Sequence, residues 1–133
     1  MQKQKWGRII NITSLTAKQP SNDLLISSVV RPGVVGLSKA LSNLHAKDGI
    51  TINNVAPGFI MTARQQELSV VRASKKGLSF DEYVTEACKD IPAGRFGRPD
   101  EIGQVIAFLA STKASYINGA TISVDGGYVR GLF

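Results

Sequence analysis

The chain has 133 residues, 43% apolar and 20% charged, proportions that fit one globular domain and exclude a disordered, collagenous or long coiled-coil protein. No run of about 18 to 20 continuous apolar residues occurs, and MQKQKWGRII has no signal-peptide core or cleavage site, so the expectation is a cytoplasmic protein with no membrane partner. Lys and Arg outnumber Asp and Glu by 16 to 10 for a formal charge of +6. The cations are scattered (Lys3, Lys5, Arg8, Arg31, Arg64, Arg72, Arg95, Arg98) and no zinc-finger or RNA-binding motif accompanies them, so no specific nucleic-acid partner is expected. The single cysteine, Cys88, has no internal disulfide partner, and neither it nor His45 belongs to a ligand cluster; both read as structural or surface residues, with no metal site.

Residues 8 to 13, RIINIT, form a short β-branched run with Ile9, Ile10 and Ile12, which predicts a buried strand. From about residue 33, Val34, Leu37, Leu41 and Leu44 recur at helical spacing, and Lys47, Asp48 and Gly49 supply a basic last turn and a C-terminal glycine. A proline inside a helix loses one backbone bond and clashes with the carbonyl four residues back, at a cost of about 3 kcal/mol. The regular helix is therefore expected to begin at Arg31 or Pro32, leaving Ser27 to Val30 irregular. ITINNVAPG predicts a second strand with Ile50, Ile52 and Val55 buried, ended by Pro57 and Gly58. Strand, helix and strand in this order predict a parallel βαβ unit with a right-handed crossover. Residues 62 to 93 show no sustained period and read as a mobile excursion with one short helix around Tyr83. Pro99 to Ala110 predicts another helix: Pro99 suits the first turn, Asp100 and Glu101 suit its positive end, and Ile102, Val105, Ile106 and Leu109 share one face. Ala120 to Val124 predicts a last strand between Asn118-Gly119 and Asp125-Gly126-Gly127.

The segments GRIINITS, GVVGLSKAL, GITINNVAPGFIMT, IPAGRFGRPDEIG and INGATISVDGGY stand in one order. Together they resemble the C-terminal half of a short-chain dehydrogenase/reductase, closest to the β-ketoacyl carrier-protein reductase and glucose dehydrogenase-like branch. The resemblance covers essentially the whole chain. It implies an α/β fold, the C-terminal part of a doubly wound parallel-sheet dinucleotide-binding fold with its last three strands. It also implies NAD or NADP as cofactor, a small carbonyl or alcohol substrate, and a homo-oligomer. The glycine-rich turn that receives the cofactor pyrophosphate in such folds does not occur in the sequence. Met1 thus resembles an internal methionine of a longer protein, and the chain alone is expected to bind NAD(P)H weakly or not at all.

In the family, a serine at a strand end holds the substrate carbonyl, a tyrosine thirteen residues later exchanges the proton, and a lysine four residues beyond binds the nicotinamide ribose. Those positions carry Ser14, Ser27 and Arg31 here, so the tyrosine and the lysine are replaced. A serine hydroxyl is far less acidic than a phenol of pKa about 10 and is shorter by a ring, and Arg31 stays protonated. Loss of a general acid costs about 10² to 10⁴ in rate. Pro57, Gly58, Ile60 and Thr62 match the family's cofactor turn, in which backbone at the isoleucine position meets the carboxamide and the threonine hydroxyl meets a phosphate. The excursion matches the family's substrate lid, placing Arg64 toward ligand or solvent. The resemblance therefore implies an NAD(P)-dependent oxidoreductase impaired in catalysis; the alternative is a non-catalytic relative that serves as an association module.

Overall fold

The computed structural model describes residues 1–132. Three strands, β1 (Gly7–Ile12), β2 (Ile50–Pro57) and β3 (Thr121–Val124), form one sheet in the order β1-β2-β3. Both pairings are parallel, with Ile9 opposite Ile52 and Val55 opposite Ile122. Helix α1 (Leu25–His45) connects β1 to β2. Helices α2 (Ala63–Lys76), α3 (Phe80–Cys88) and α4 (Pro99–Ala110) lie between β2 and β3.

β2 has a neighbour on each side, which explains its near-continuous apolar and amide sequence: Ile50, Ile52, Asn53, Asn54 and Val55 are all at most 5% exposed. One face of the sheet meets α4. Val55 and Ala114 pack with Ile102 and Leu109 there, and Ile10, Val105, Ile106, Ile122 and Val124 surround them. The helical face expected from the sequence is thus the face that is used. Pro99 occupies the first turn of α4, and Glu101 folds back to accept the Arg98 backbone N–H at 2.7 Å. The other face meets α1 through polar contacts: Asn11 Nδ2 donates to Ser38 Oγ at 2.9 Å and to Asn54 Oδ1 at 3.3 Å. Gly49, at φ 71°, closes the turn between α1 and β2 as its sequence position predicts.

Several expectations need correction. β1 is not a buried strand, because it has one neighbour only; Ile9 and Ile12 stay 37% and 56% exposed. Helix α1 does not start at Arg31 or Pro32 but runs unbroken from Leu25, with Pro32 inside it. Contacts made before the proline hold that first stretch. Ser28 Oγ donates to the Leu24 carbonyl at 2.9 Å and accepts the Ser21 amide at 3.0 Å, and the Ser27 and Thr16 hydroxyls lie 2.8 Å apart. The bonds to Thr16 and Ser21 tie the turn before Pro32 to the preceding loop, and the helix continues although Pro32 cannot donate a ladder bond. The excursion is two helices, not one. Thr62 caps α2 by accepting the Gln65 amide at 3.1 Å, and Ser79 with Glu82 forms a capping box for α3. Finally, Asn22–Asp48 is long and apolar enough, by length and composition, to cross a membrane, with a mean hydropathy of 1.4 in its most apolar window. Within the fold it is bonded to the sheet through Ser38 and packs the buried Ser42.

Cys88 is buried with Ile91 and Phe96, against Met61, Val84, Ala87 and Tyr128. His45 lies 3.4 Å from Asp48, whose carboxyl is lowered to about 2 by hydrogen bonds from Lys5, Gln2 and His45.

Candidate active site

Parallel strands all end on one side, and side chains in the loops beyond those ends face a common crevice. Here the crevice is a cavity of about 480 Å³ beyond the C-terminal ends of β1 and β2. Ser14 and Leu15 reach it from the end of β1; Pro57, Gly58, Phe59, Ile60 and Thr62 reach it from the end of β2.

The turn after β2 is held by backbone. The Gly58 amide donates to the Val124 carbonyl at 3.0 Å, which continues the β2–β3 pairing past Pro57. A side chain at residue 58 would put its Cβ 2.6 Å from Asp125 Cβ, so glycine is required by close approach. Ile60 pairs with Gly97: the Gly97 amide donates to the Phe59 carbonyl at 2.9 Å and the Met61 amide to the Gly97 carbonyl at 2.8 Å. A Cβ at Gly97 would fall 2.7 Å from Ile60 Cδ1. Among the described residues no acceptor pairs with the amide of Ile60, a residue of the cavity wall. Thr62 Oγ1 accepts the Gln65 amide, and its own hydrogen remains available to a ligand oxygen.

One wall belongs to α2. Arg64, Gln65, Leu68 and Arg72 recur along one helical face and line the cavity, bringing two cations and no carboxylate to it. Tyr128 closes another side, edge-on to Phe59 with ring centroids 4.9 Å apart. Asp125 positions that segment by accepting the Gly127 amide at 3.0 Å and the Val129 amide at 2.9 Å. Behind it, Arg95 donates both nitrogens of its fork to Glu101, whose carboxyl drops to about 2 chiefly through those bonds.

The sequence-assigned positions divide into two groups. Ser14, Pro57, Gly58, Ile60 and Thr62 all line the cavity. Ser27 and Arg31 do not. The Ser27 hydroxyl is engaged with Thr16 Oγ1, and Arg31 Nη1 donates to the Ile12 carbonyl at 3.4 Å. Ser14 Oγ accepts the Thr16 amide at 3.2 Å as the cap of a 3-10 turn over Leu15–Ala17, which leaves its hydrogen to donate. Gln65, Leu68, Arg72 and Tyr128 were missed as lining residues. The spacing of 64, 65, 68 and 72 is a helical stripe that the sequence carries; nothing local announces Tyr128.

A parallel sheet with helices between its strands and a crevice at its strand ends is part of a doubly wound α/β fold, and comparison with known proteins narrows it. The family described as enoyl-(acyl carrier protein) reductase matches residues 1–129, and the chain belongs to the short-chain dehydrogenase/reductase family. It is 38% identical over 127 residues to the 3-oxoacyl-[acyl-carrier-protein] reductase of Vibrio cholerae, covering 96% of this chain and 48% of that protein. It is 36% identical to the acetoacetyl-CoA reductase of Shinella zoogloeoides, with the same coverage. Among solved structures, L-sorbose reductase from Gluconobacter frateurii, complexed with NADPH and L-sorbose, superposes at TM-score 0.93 with 29% identity, covering 99% of this chain and 51% of that one. YwfH, an NADPH-dependent reductase of bacilysin biosynthesis, superposes at 0.89 with 34% identity, covering 98% and 50%. The chain spans about half the length of the curated relatives it matches.

Proposed function

We propose that this chain supplies the nicotinamide-side half of an NAD(P)-dependent carbonyl or alcohol oxidoreductase site, and that this half is poor at proton transfer. The cavity residues fit a nicotinamide nucleotide on this side: the unpaired Ile60 amide suits a carboxamide oxygen, the Thr62 hydroxyl can donate to a phosphate, and Arg64 and Arg72 add positive charge. Such a group, when bound, supplies or accepts hydride. Ser14 can donate one hydrogen bond to a substrate carbonyl oxygen at the cavity wall. No described residue at the family's tyrosine and lysine positions completes the task, because Ser27 faces Thr16 and Arg31 reaches the Ile12 carbonyl. Residues 62 to 93 act as a lid over this cavity through the α2 face.

The 2.8 Å contact between Ser27 and Thr16 carries the reading of impairment. In an assay of NADPH oxidation with a 3-oxoacyl thioester, using a full-length protein in which this half is joined to a cofactor-binding N-terminal half, wild-type turnover is expected far below the ordinary enzymatic range of about 1 to 10³ per second. The double variant Ser27→Tyr/Arg31→Lys should gain about 10²-fold. A wild-type rate inside that range would overturn the reading. NADPH titrated calorimetrically into the 133-residue chain should bind with a Kd weaker than about 1 µM, since no glycine-rich turn is contributed by these residues.

A second reading, a non-catalytic association module, is favoured by one observation. Leu25, Ile26, Val29, Val30, Leu37 and Leu44 of α1 are each at least 53% exposed, leaving an apolar helix face uncovered. On this reading the chain self-associates through α1, and a monodisperse 14.3 kDa monomer by light scattering at high micromolar concentration would refute it.

A further inference from the structure

Two guanidinium groups line the cavity at the strand ends, Arg64 and Arg72, and among the described residues no Asp or Glu lines it with them. Elsewhere in the segment joining β2 to β3, cations are compensated. Lys76 lies 3.5 Å from Glu86, Arg95 donates to Glu101, and Arg98 lies 3.1 Å from Asp100. No carboxylate among the described residues forms an ion pair with Arg64 or Arg72. The cavity therefore carries positive charge that the fold does not spend on itself.

The two arginines are not equivalent. They stand eight residues apart on α2, about 12 Å along the axis at 1.5 Å per residue. Arg64 belongs to the first turn, beside the capping Thr62, so one phosphate at the helix start engages Thr62 and Arg64 together. Arg72 lies two turns further on, out of reach of that phosphate. Leu68 separates the pair, and Gln65, the remaining polar residue of the stripe, donates its amide to Ser69 Oγ at 3.2 Å. From the end of β1, Ser14 brings a hydroxyl hydrogen to the same cavity, and Leu15 and Leu24 bring apolar surface.

Resting on the assignment of this cavity to a nicotinamide-dependent carbonyl reaction, we propose that the substrate is an oxo acid, and that Arg72 selects its charge. The substrate's carboxylate is separated from the reacting carbonyl by a short apolar chain. Ser14 donates to the carbonyl oxygen, the three leucines line the path of the chain, and the Arg72 fork donates to the carboxylate. A neutral carbonyl compound of the same shape leaves the guanidinium in water and gains nothing from it. Arg72 is exposed in the open crevice, so its contribution is that of a surface ion pair, about fivefold in affinity.

The acid 5-oxohexanoate and its methyl ester share carbonyl and chain and differ in charge. Titrated into the intact chain at low ionic strength and followed by amide chemical shifts, the acid should bind saturably and about fivefold more tightly than the ester. Arg72→Gln should bring the two affinities to within about twofold of each other. Lys75→Gln removes the same unit of charge from an exposed position of α2 outside the cavity, and should keep the wild-type preference for the acid. That contrast separates a local contact from attraction by the net charge of +6. No cofactor is present in this titration, so its outcome is independent of the nicotinamide assignment, whose failure would show as no NADPH binding by the full-length protein. Equal binding of acid and ester by the wild-type chain would overturn the proposal. So would an unchanged preference in Arg72→Gln, a preference lost equally in Lys75→Gln, or no saturable binding of the acid.

Discussion

The sharpest stability prediction concerns Asn53, a 1% exposed amide in the middle of β2. Its Nδ2 donates to the Ile117 carbonyl at 2.8 Å, and its Oδ1 accepts the Ala120 amide at 3.0 Å. It thereby holds both sides of the loop that turns into β3, the strand whose Val124 carbonyl positions Gly58 at the cavity. Asn53→Ala removes two bonds and leaves a backbone donor and a backbone acceptor without partners. At about 1 to 3 kcal/mol for each orphaned group, tempered because Ile117 and Ala120 are only half-buried, the expected loss is about 2 to 4 kcal/mol. With a urea m value of about 1.5 kcal/mol/M, the unfolding midpoint falls by about 1.3 to 2.7 M. Asn53→Asp keeps the acceptor for Ala120 but sets a carboxylate against the Ile117 carbonyl. Burial and that carbonyl favour its neutral form, so relative to wild type it regains stability as pH falls and the acid protonates and donates. Urea melts followed by circular dichroism read both variants. An Asn53→Ala midpoint within about 0.3 M of wild type at unchanged m, or an Asn53→Asp deficit that does not shrink on acidification, would refute the reasoning.

Pro32→Ala restores an N–H that can donate to the Ser28 carbonyl inside α1, and should stabilise the chain by up to about 3 kcal/mol, seen as a higher melting temperature; no change would mean that the helix has already relaxed around the ring. Asp48 and Glu101 both have folded pKa values of about 2, below their ordinary 3.8 and 4.5. Their stabilisation is complete above those ordinary values and is lost as pH falls toward about 2, so Glu101→Gln should flatten the midpoint against pH over that window; an unaltered slope would contradict the assignment. Gly58→Ala forces a Cβ against Asp125 and should cost about 1 to 3 kcal/mol, with weaker cofactor binding wherever the full site is present.

Local pattern was enough to read α4, β2, β3 and the Gly49 turn, because their signals are short-range: a proline and two acids at a helix start, an apolar stripe, glycine at a left-handed position. The ordered segments likewise sufficed for the family, and Pro57, Gly58, Ile60 and Thr62 line the cavity because their turn is built mostly from adjacent residues and one strand pairing. Other outcomes depended on contacts between distant residues. Whether Ile9 and Ile12 are covered is decided by how many neighbours β1 has, which no periodicity encodes. That a helix crosses Pro32 goes with bonds from Ser27 to Thr16 and from Ser21 to Ser28, which tie the turn before the proline to the preceding loop. The cavity's Tyr128 is brought into place by parallel strands whose partners lie more than 40 residues apart, a separation over which sequence spacing carries no distance information. Composition and local pattern determined which elements form and what they resemble; tertiary packing alone decided which of their polar groups are spent on the fold and which stay available to a ligand.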